Sequence, residues 1–227
     1  MAAKPASKIV CRPLTLARWD DFVKLFGPRG ACAGCWCMWP RQTSADFARL
    51  RGDRNRRLMR RLVAKGEPVG LIAYVDGEPA GWCAIAPREK YGRLVRSRVL
   101  KALDGPAGAG APGAWAAPCF FIARRHRGRG LTKRLLEAAV EFAAERGATL
   151  VEGYPIEPRK DRMPDVWLWH GHASIFRSAG FHEVARRSPT RPIMRRELKT
   201  ARRRGGAGAS AAGRDASARR RPRSARG

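Results

Sequence analysis

The chain has 227 residues, of which 44% are hydrophobic and seven are tryptophan, so one domain with a complete core is expected. No apolar run reaches the roughly 18 residues of a membrane span, and residues 1–8 lack the apolar segment of a secretory signal. These features argue against the membrane and secreted classes and favour the cytoplasm, with the six cysteines mostly as thiols. The formal net charge of +28 favours anionic ligands and weak nucleic-acid contact, although a compositional bias toward Ala, Arg and Gly would produce the same charge.

The first half of the chain predicts strands and helices after a flexible terminus at 1–7. Asp76-Gly77 lies between two β-prone runs and indicates a hairpin. In chain order we predict a strand at 8–13, a helix at 16–26 that ends at Gly27-Pro28, a cysteine-rich loop at 31–40, a second helix capped by Thr43 or Ser44 and running to 65–66, strands at 69–75 and 80–86, a basic and partly helical excursion at 88–103, and a flexible loop at 104–113.

The second half predicts a strand, a loop and a helix, followed by elements that close the domain. We expect a buried strand at 119–123, a glycine-bearing loop at 125–130, a helix from 131 to Arg146-Gly147, a strand at 148–154, a helix leading to 176–181, an antiparallel pair at 183–187 and 192–198, and a disordered basic tail at 199–227. This order predicts one mixed α/β domain over 8–198.

The most informative segment is Arg125-His126-Arg127-Gly128-Arg129-Gly130. It stands between a buried strand and the start of an amphipathic helix, where unpaired backbone N–H groups and the positive end of the helix dipole converge. Gly128 and Gly130 allow the backbone to approach a ligand closely, and the arginines add positive charge. We therefore predict a loop that binds a pyrophosphate.

Other phosphate-binding motifs do not fit this segment. A dinucleotide-binding G-x-G-x-x-G requires glycine at position 133, which is lysine, and the spacing of a P-loop is absent. The pattern R-x-x-G-x-G after a mid-chain strand resembles the acetyl-CoA pyrophosphate loop of the GNAT superfamily of N-acetyltransferases. Phe176-Arg177-Ser178-Ala179-Gly180-Phe181 is similar to the Y-x-x-x-G-F segment that closes those domains, and the resemblance spans roughly 9–198.

This resemblance implies a fold, a cofactor and a set of binding residues. It implies an α/β fold with a mixed, mostly antiparallel central sheet, flanked by helices and splayed at the acetyl-CoA site, and it implies no metal. Backbone N–H groups of the loop would hold the pyrophosphate, and the preceding strand would lie along the pantetheine, with an N–H near Phe121 or Ile122 polarising the thioester carbonyl. The predicted cofactor-binding residues are Phe121, Ile122, Ala123, Arg125, His126, Arg127, Gly128, Arg129, Gly130, Leu131 and Thr132.

For the general base and acid, the sequence offers several candidates. Glu152 stands on the strand after the loop helix, where a carboxylate could take a proton from an amine, and Tyr154 shares its face by period-2 alternation. The alternatives are an ion pair for Glu152 and burial in the core for Tyr154. His170 and His172 are further candidates for the base. Where the family often has a tyrosine as general acid, this chain has Phe176, which cannot donate a proton. A protein that binds acyl-CoA with little turnover therefore stays an alternative.

The run Cys32-Ala33-Gly34-Cys35-Trp36-Cys37-Met38-Trp39-Pro40 allows two interpretations. A C-x-x-C-x-C run can ligate zinc, but a fourth ligand would have to come from elsewhere in the chain. In the fold that the chain resembles, the corresponding loop borders the substrate, so we favour an apolar lip over the acceptor pocket. The predicted substrate-binding residues are Trp36, Met38, Trp39 and, from a later strand, Trp82, with core packing as the alternative for each tryptophan.

The resemblance therefore implies an acetyl-CoA-dependent N-acetyltransferase, and we expect it to transfer an acetyl group to a primary amine by direct attack within a ternary complex. The acceptor would be a small molecule or a peptide amine, and the chain would be a monomer or a homodimer. The alternative is an acyl-CoA-binding or nucleic-acid-associated module in which the tail at 199–227, with ten Lys or Arg residues and one acid, is the working part. A third alternative is a zinc-dependent interaction domain.

Overall fold

The computed structural model describes residues 7–101, 103, 111–158 and 169–198, and its framework is one seven-stranded sheet. The strands are β1 (Ile9–Pro13), β2 (Gly70–Val75), β3 (Glu78–Pro87), β4 (Ala114–Ile122), β5 (Leu150–Gly153), β6 (His182–Arg186) and β7 (Pro192–Glu197). They lie in the order β1-β2-β3-β4-β5-β7-β6. Strands β4 and β5 are parallel, and every other neighbouring pair is antiparallel. The expected mixed, mostly antiparallel sheet is therefore confirmed.

Helices flank this sheet. Those that the structure describes are α1 (Trp19–Phe26), α2 (Ser44–Leu50), α3 (Asp53–Ala64), α4 (Gly92–Arg96), α5 (Leu131–Ala144) and α6 (Ala173–Ser178). Thr43 caps α2, and its hydroxyl accepts a hydrogen bond from the Asp46 N–H at 3.1 Å. The single helix predicted up to 65–66 was wrong, because Gly52 adopts a φ of +82° and separates α2 from α3.

The two largest of three apolar clusters lie on opposite faces of the sheet. On one face, α5 presents Leu135, Leu136 and Ala139 to the central strands. On the other face, α1, α3 and the segment 35–38 enclose Trp82, and Phe22 meets the Trp82 ring edge-on at a centroid distance of 4.9 Å. Strands β3 and β4 are buried on both faces, which explains why their sequences are apolar without a polar alternation.

Strand β4 is longer than its sequence indicates. It begins at Ala114, whereas the β-prone pattern predicted a strand at 119–123. The added residues include three alanines and Pro118, all of which have low β-propensity. They form a strand here because β3 and β5 pair with this stretch from both sides, so tertiary contacts override local preference. The hairpin predicted at Asp76-Gly77 joins β2 to β3, and both of its residues have positive φ.

Some predictions fall on parts of the chain that lie outside the described residues. These are the terminus at 1–6, most of the loop at 104–113 and the tail at 199–227. In the described ranges, no helix combines the length and the apolar character that crossing a membrane requires.

Candidate functional site

A gap opens between β4 and β5 halfway along β4. The two strands pair only from Ala114 to Ala117 on β4, although β4 continues to Ile122. Pro118 stands where the pairing ends, and it has no backbone N–H with which to continue a ladder. The register toward β3 shifts at the same level, which indicates a bulge that bends β4 away. Backbone groups of residues 119–122 on the β5 side are therefore accessible to a ligand.

The loop after β4 places a helix N-terminus at the mouth of this gap. Gly128 and Gly130 both have a φ of +72°, and a Cβ at either position would meet no atom within 4 Å. No side chain caps α5, so the N–H groups of its first turn, Leu131, Thr132 and Lys133, have no partner within the helix. The space beside the two glycines and these free donors make a cradle that suits an anion.

His126 adds a buried donor to the cradle. Burial, and then the charges of Arg125 and Arg129, lower the pKa of His126, so its ring is neutral at neutral pH. Its Nε2 accepts a hydrogen bond from the Arg125 Nε at 2.9 Å, which leaves the proton on Nδ1. That Nδ1 is buried and finds no hydrogen-bond partner among the described residues. An oxygen atom of an anionic ligand would satisfy it.

The cradle, the unpaired edge of β4 and the start of α6 enclose a cleft of about 850 Å³, which we call the loop cleft. Of the predicted cofactor-binding residues, the structure brings together along this cleft Phe121, Ile122, His126, Arg127, Gly128, Gly130, Leu131 and Thr132. Ala123, Arg125 and Arg129 do not line it. The Ala123 N–H donates to the Ala80 carbonyl at 2.9 Å, and the Arg125 guanidinium lies 3.8 Å from the Glu78 carboxylate.

Six further residues that line the loop cleft are not among those predicted to bind the cofactor, namely Cys32, Phe120, Lys133, Trp169, Gly171 and Ile175. His172, predicted as a candidate for the base, lines the cleft as well. Phe120 and Lys133 directly adjoin predicted residues, so a wider reading of the motif would have included them. Trp169 and the residues after it reach the cleft only because the chain crosses the gap between β4 and β5 before α6, and no local pattern indicates that crossing.

A second cavity of about 240 Å³, which we call the aromatic cavity, adjoins the loop cleft. The two spaces share Cys32, Phe120, Phe121 and Trp169, and the aromatic cavity is further lined by Phe26, Ala31, Ala33, Cys35, Cys37, Trp39, Phe47 and Cys119. Trp39 meets Phe47 edge-on at a centroid distance of 4.9 Å and Trp169 at 5.8 Å. The guanidinium of Arg93 lies 3.5 Å above the Trp39 ring and fixes it from outside.

Three of the four residues predicted to bind the acceptor lie in the core instead of the cavity wall. Trp36, Met38 and Trp82 are at most 6% exposed and belong to the core that α1 and α3 cover. Trp36 stacks on Phe26 at a centroid distance of 5.8 Å and fills the space above Gly30, where any Cβ would overlap its indole. We correct the prediction for these three residues accordingly, since they support the cavity wall from behind. Trp39 does line the cavity.

The loop that carries the cysteines has an unusual backbone. Four of its non-glycine residues have positive φ, namely Ala31, Ala33, Trp36 and Cys37. Helix α3 holds the loop in this shape, since the Gly52 N–H donates to the Gly34 carbonyl at 2.9 Å and the Asn55 amide donates to the same oxygen at 3.3 Å. Backbone strain of this kind persists only where surrounding contacts impose it, and it concentrates at binding sites.

The cysteines are all free thiols. The sulfur atoms of Cys37 and Cys119 lie 3.2 Å apart in the wall of the aromatic cavity. Burial raises the pKa of the Cys37 thiol well above its ordinary value, and burial followed by the neighbouring Cys35 raises that of Cys32. Both therefore remain protonated at neutral pH. Within the ranges that the structure describes, no group of three or more His, Cys, Asp or Glu side chains is arranged to hold a metal ion.

Glu152 and Tyr154 line neither cavity. The Glu152 carboxylate is fully buried, and its Oε2 accepts from the Arg88 Nε at 2.7 Å and from the Tyr154 hydroxyl at 2.5 Å. Its Oε1 accepts from the Arg195 Nε at 2.9 Å. Burial, and then the Glu152 charge, raise the pKa of Tyr154 well above its ordinary value. The structure therefore brings the two predicted catalytic residues together, but away from the space that a substrate could enter.

The remaining candidates lie around the gap. His170 is buried, and its Nδ1 is 2.9 Å from the Pro118 carbonyl oxygen. Burial, and then the Arg191 charge, lower the pKa of His170 well below its ordinary value. His172 is half-buried and lines the loop cleft. Phe176 is fully buried in the core beneath the cleft, packed so closely on Gly153 that no Cβ would fit there.

The comparisons with known proteins agree with this geometry. The model of the acetyltransferase (GNAT) family matches residues 33–157, which is more than half of the chain. This stretch includes the cysteine loop after Cys32, β4, the glycine-bearing loop and α5. No curated protein matches the chain.

Solved structures with a similar fold share little sequence with this chain. The protein yncA from Salmonella typhimurium, solved with its cofactor acetyl-CoA, has a TM-score of 0.50 and 13% identity, over 88% of this chain and 99% of that one. The PaiA N-acetyltransferase from Thermoplasma acidophilum, in complex with coenzyme A, has a TM-score of 0.48 and 12% identity, over 84% and 99%. The ribosomal-protein-S18-alanine N-acetyltransferase from Escherichia coli has a TM-score of 0.45 and 12% identity, over 87% and 98%.

Proposed function

Because the chain belongs to the GNAT family of acetyltransferases, whose cofactor is acetyl-CoA, we propose that it transfers an acetyl group to a primary amine by direct attack within a ternary complex. One observation carries the proposal. The loop cleft and the aromatic cavity meet at Phe120 and Phe121, on the part of β4 that has no strand partner toward β5 among the described residues. Acetyl-CoA held in the loop cleft and an amine held in the aromatic cavity would face each other at that part of β4.

The loop cleft fits the phosphates of acetyl-CoA. The first-turn N–H groups of α5 and the buried Nδ1 of His126 supply donors, and Arg127 and Lys133 supply positive charge. Gly128 and Gly130 leave the space that the phosphates need. Arg125 and Arg129 act from further out, through the long-range field of their charges.

The edge of β4 would orient the reacting end of the cofactor. In the antiparallel ladder with β3, Phe121 directs its backbone groups to Trp82, and the Ile122 carbonyl accepts from the Arg127 Nε at 3.3 Å. The backbone groups of Phe120 and the Ile122 N–H therefore remain to pair with the amides of the pantetheine. An N–H of this edge directed at the thioester carbonyl would stabilise the negative charge that develops on its oxygen. The acetyl group would then lie at the opening of the aromatic cavity.

Cys32 allows a sharp test of direct attack, because it lines both spaces and its side chain is exposed. A thiol in that position could in principle carry the acetyl group between cofactor and amine. Its raised pKa keeps the sulfur protonated and weakly nucleophilic, which favours direct attack. We expect Cys32→Ser to retain turnover and initial-rate plots to intersect. Parallel plots together with an inactive Cys32→Ser enzyme would establish a covalent route instead.

Calorimetric titration of the full chain with acetyl-CoA, CoA and NAD is the first test of the site. We expect selective binding of acetyl-CoA and CoA. Gly128→Val and Gly130→Val should each weaken acetyl-CoA binding by at least about tenfold, because the added side chain occupies the space of the phosphates and strains the backbone.

Gly147→Val is the matched control for these variants. Gly147 has a φ of +77° and no atom within 4 Å of its Cβ position, but it follows the opposite end of α5. This variant bears a similar backbone strain and should bind acetyl-CoA as the wild type does. If both cradle variants bind as tightly as Gly147→Val, the cradle is an ordinary turn and the proposed function fails.

A further inference from the structure

The walls of the aromatic cavity point to the chemical class of the acceptor. We propose that the acceptor is a primary arylamine, whose ring occupies the aromatic cavity and whose neutral amino group lies at the edge of β4. This inference rests on the proposed function and extends it to a substrate class.

Shape and volume support an aromatic ring. Trp39 meets both Phe47 and Trp169 edge-on, so the three rings form adjoining walls at right angles. An apolar protein cavity of about 150 Å³ can hold benzene, and the volume here is about 240 Å³, which suits one or two fused rings. Flat rings gain from edge-to-face contacts with such walls beyond the burial of their area.

The cavity is built in advance of binding. The strained loop at 30–38 is fixed to α3 through Gly34, Gly52 and Asn55, and the Asn55 side chain is itself held by the Gln42 amide at 2.7 Å. Arg93 immobilises Trp39, because its Nε donates to the Trp39 carbonyl at 2.8 Å while its guanidinium covers the ring. A rigid pocket selects for ligand shape, since it costs little conformational entropy on binding.

The surrounding charges decide the protonation state of the amine. The described lining of the aromatic cavity consists of rings, alanines and protonated thiols, in which an ammonium ion would lose its hydration without compensation. No Asp or Glu of the described residues lines the aromatic cavity or the loop cleft, so no carboxylate there would stabilise an ammonium ion, and the Arg93 guanidinium over Trp39 adds a positive charge at the outer wall. Delocalisation of the nitrogen lone pair into the ring makes an arylamine a weak base, so it enters neutral, whereas an alkylamine would first have to lose a proton.

The transfer then needs no carboxylate at the amine. The amine nitrogen attacks the thioester carbonyl carbon, a C–N bond forms, and the C–S bond breaks with its electron pair leaving on sulfur. The proton that the nitrogen loses ends on that sulfur, so the products are an N-aryl acetamide and free CoA. A transfer without a carboxylate at the amine agrees with the position of Glu152. Its carboxylate binds Arg88 and Arg195 and lines neither the loop cleft nor the aromatic cavity.

The test compares amines of similar size and different basicity with the full-length protein. We expect kcat/KM for aniline and 2-aminonaphthalene, measured as thiol release from acetyl-CoA at pH 7, to exceed that for benzylamine and spermidine by at least about tenfold. The rate with aniline should be nearly independent of pH from 7 to 9. The rate with benzylamine should rise about tenfold per pH unit, in proportion to its free base.

A variant of the cavity wall links this preference to the aromatic cavity. Phe47→Ala should raise KM for aniline about tenfold and leave the Kd for acetyl-CoA unchanged, because Phe47 lines the aromatic cavity and not the loop cleft. Leu50→Ala is the matched control, since Leu50 is also half-buried on α2 but lines neither space. It should leave both constants unchanged.

Three outcomes would overturn the inference. Faster turnover of benzylamine or spermidine than of aniline would replace the acceptor class and leave the proposed function intact. Tighter binding of hexanoyl-CoA than of acetyl-CoA, with no acetylation of arylamines, would assign the aromatic cavity to an acyl chain. Absence of acetyl-CoA binding and of thiol release with every amine would remove the proposed function together with this inference.

Discussion

Glu152 holds two arginines together beneath β4. Ala116 stands opposite Glu152 in the sheet register and Ala86 stands opposite Ala116, so two small side chains leave room for Arg88 on this face. The Arg88 Nη2 also donates to the Leu100 carbonyl at 3.0 Å and ties the segment after β3 to the sheet. We propose that Glu152 acts as a counter-charge that positions these elements, and not as the general base.

Replacing Glu152 distinguishes a buried counter-charge from a general base. We expect Glu152→Gln to lower the free energy of unfolding by about 3 kcal/mol, because two buried guanidinium groups lose their counter-charge. Urea denaturation followed by circular dichroism measures this loss. At a temperature where the variant is folded, kcat and the Kd for acetyl-CoA should stay within about twofold of the wild type.

Glu157 offers a control with similar partners in a different environment. It also pairs with two arginines, Arg177 and Arg186, but its side chain is 35% exposed. Glu157→Gln should therefore cost less than about 1 kcal/mol of stability. A folded Glu152→Gln enzyme with unchanged acetyl-CoA affinity and a kcat reduced about a hundredfold would instead assign the base to Glu152, as the sequence alone predicted.

The tryptophans of the cysteine loop illustrate how far residue type can predict a site. Trp36 and Trp39 lie three residues apart in one loop, and the sequence assigned both to the acceptor. Trp36 has a φ of +42°, and this strained backbone places its indole in the core, whereas Trp39 lies in the cavity wall. Contacts with α3 impose that backbone conformation, so a local pattern predicts the apolar lip without telling which ring faces the ligand.

At the scale of elements, the segment 169–172 closes one end of the gap between β4 and β5. Ile156 donates its N–H to the Gly171 carbonyl at 2.9 Å and accepts from the Ala173 N–H at 3.0 Å. His170 donates from Nδ1 to the Pro118 carbonyl, so the segment is fixed to β4 as well. This attachment carries Trp169 to the point where the loop cleft and the aromatic cavity meet.

This attachment predicts a loss of stability in mild acid. The pKa of His170 is lowered in the folded protein, so the folded state excludes a proton that the unfolded chain binds below pH 6.5. Unfolding therefore takes up a proton there, and stability decreases as the pH falls. We expect this residue alone to cost about 1 kcal/mol between pH 6.5 and 5.5, and His170→Gln to remove that part of the dependence in urea titrations.

His182→Gln is the control for this effect. The His182 side chain is 57% exposed on β6, so its replacement controls for the loss of an imidazole outside the segment 169–172. His126, whose pKa is also lowered, accounts for a part of the dependence that should survive in His170→Gln. An identical slope of stability against pH in the wild type and His170→Gln would contradict the burial of a neutral His170.

Elements that follow from neighbouring residues in the sequence could be predicted, whereas elements that depend on contacts with residues far along the chain could not. Glycines at positive φ and a 3.6-residue apolar period fix the loop at 125–130 and α5 from sequence alone. The gap in which we propose that the cofactor binds depends on Pro118 standing where β5 ceases to pair, which requires knowledge of the strand order. The alanines before Pro118 gave no strand signal for the same reason, since their pairing partners lie far along the chain.

At the scale of the whole molecule, the positive charge is densest in the tail at 199–227, which carries +9 of the net +28. The tail at 199–227 holds ten of the 47 Lys and Arg residues in 29 positions, with Asp215 as the single acid. A polycationic segment of this composition favours phosphate contacts with nucleic acid, which weaken steeply with salt. The cradle that we propose for acetyl-CoA uses fixed donors on the folded domain, so acetyl-CoA binding and nucleic-acid contact by the tail should be separable.

Truncation after residue 198 tests this separation. We expect the shortened chain to bind a single-stranded RNA oligonucleotide at least about tenfold more weakly than the full chain at moderate salt, with a shallower dependence of affinity on salt concentration. Its Kd for acetyl-CoA and its kcat should stay within about twofold of the full chain, since the cradle lies at 126–133. Fluorescence anisotropy with labelled RNA and calorimetry with acetyl-CoA measure the two affinities.

A full-length variant with every tail arginine changed to glutamine distinguishes charge from chain length, because it keeps the tail and removes most of its charge. It should match the truncated protein in RNA affinity if phosphate contacts are the cause. Undiminished RNA binding by both variants would transfer the nucleic-acid contact to the basic surface of the folded domain. A weaker affinity for acetyl-CoA in both would mean that the tail contributes its positive charge to the loop cleft, so that the cradle and the tail bind the cofactor as one site.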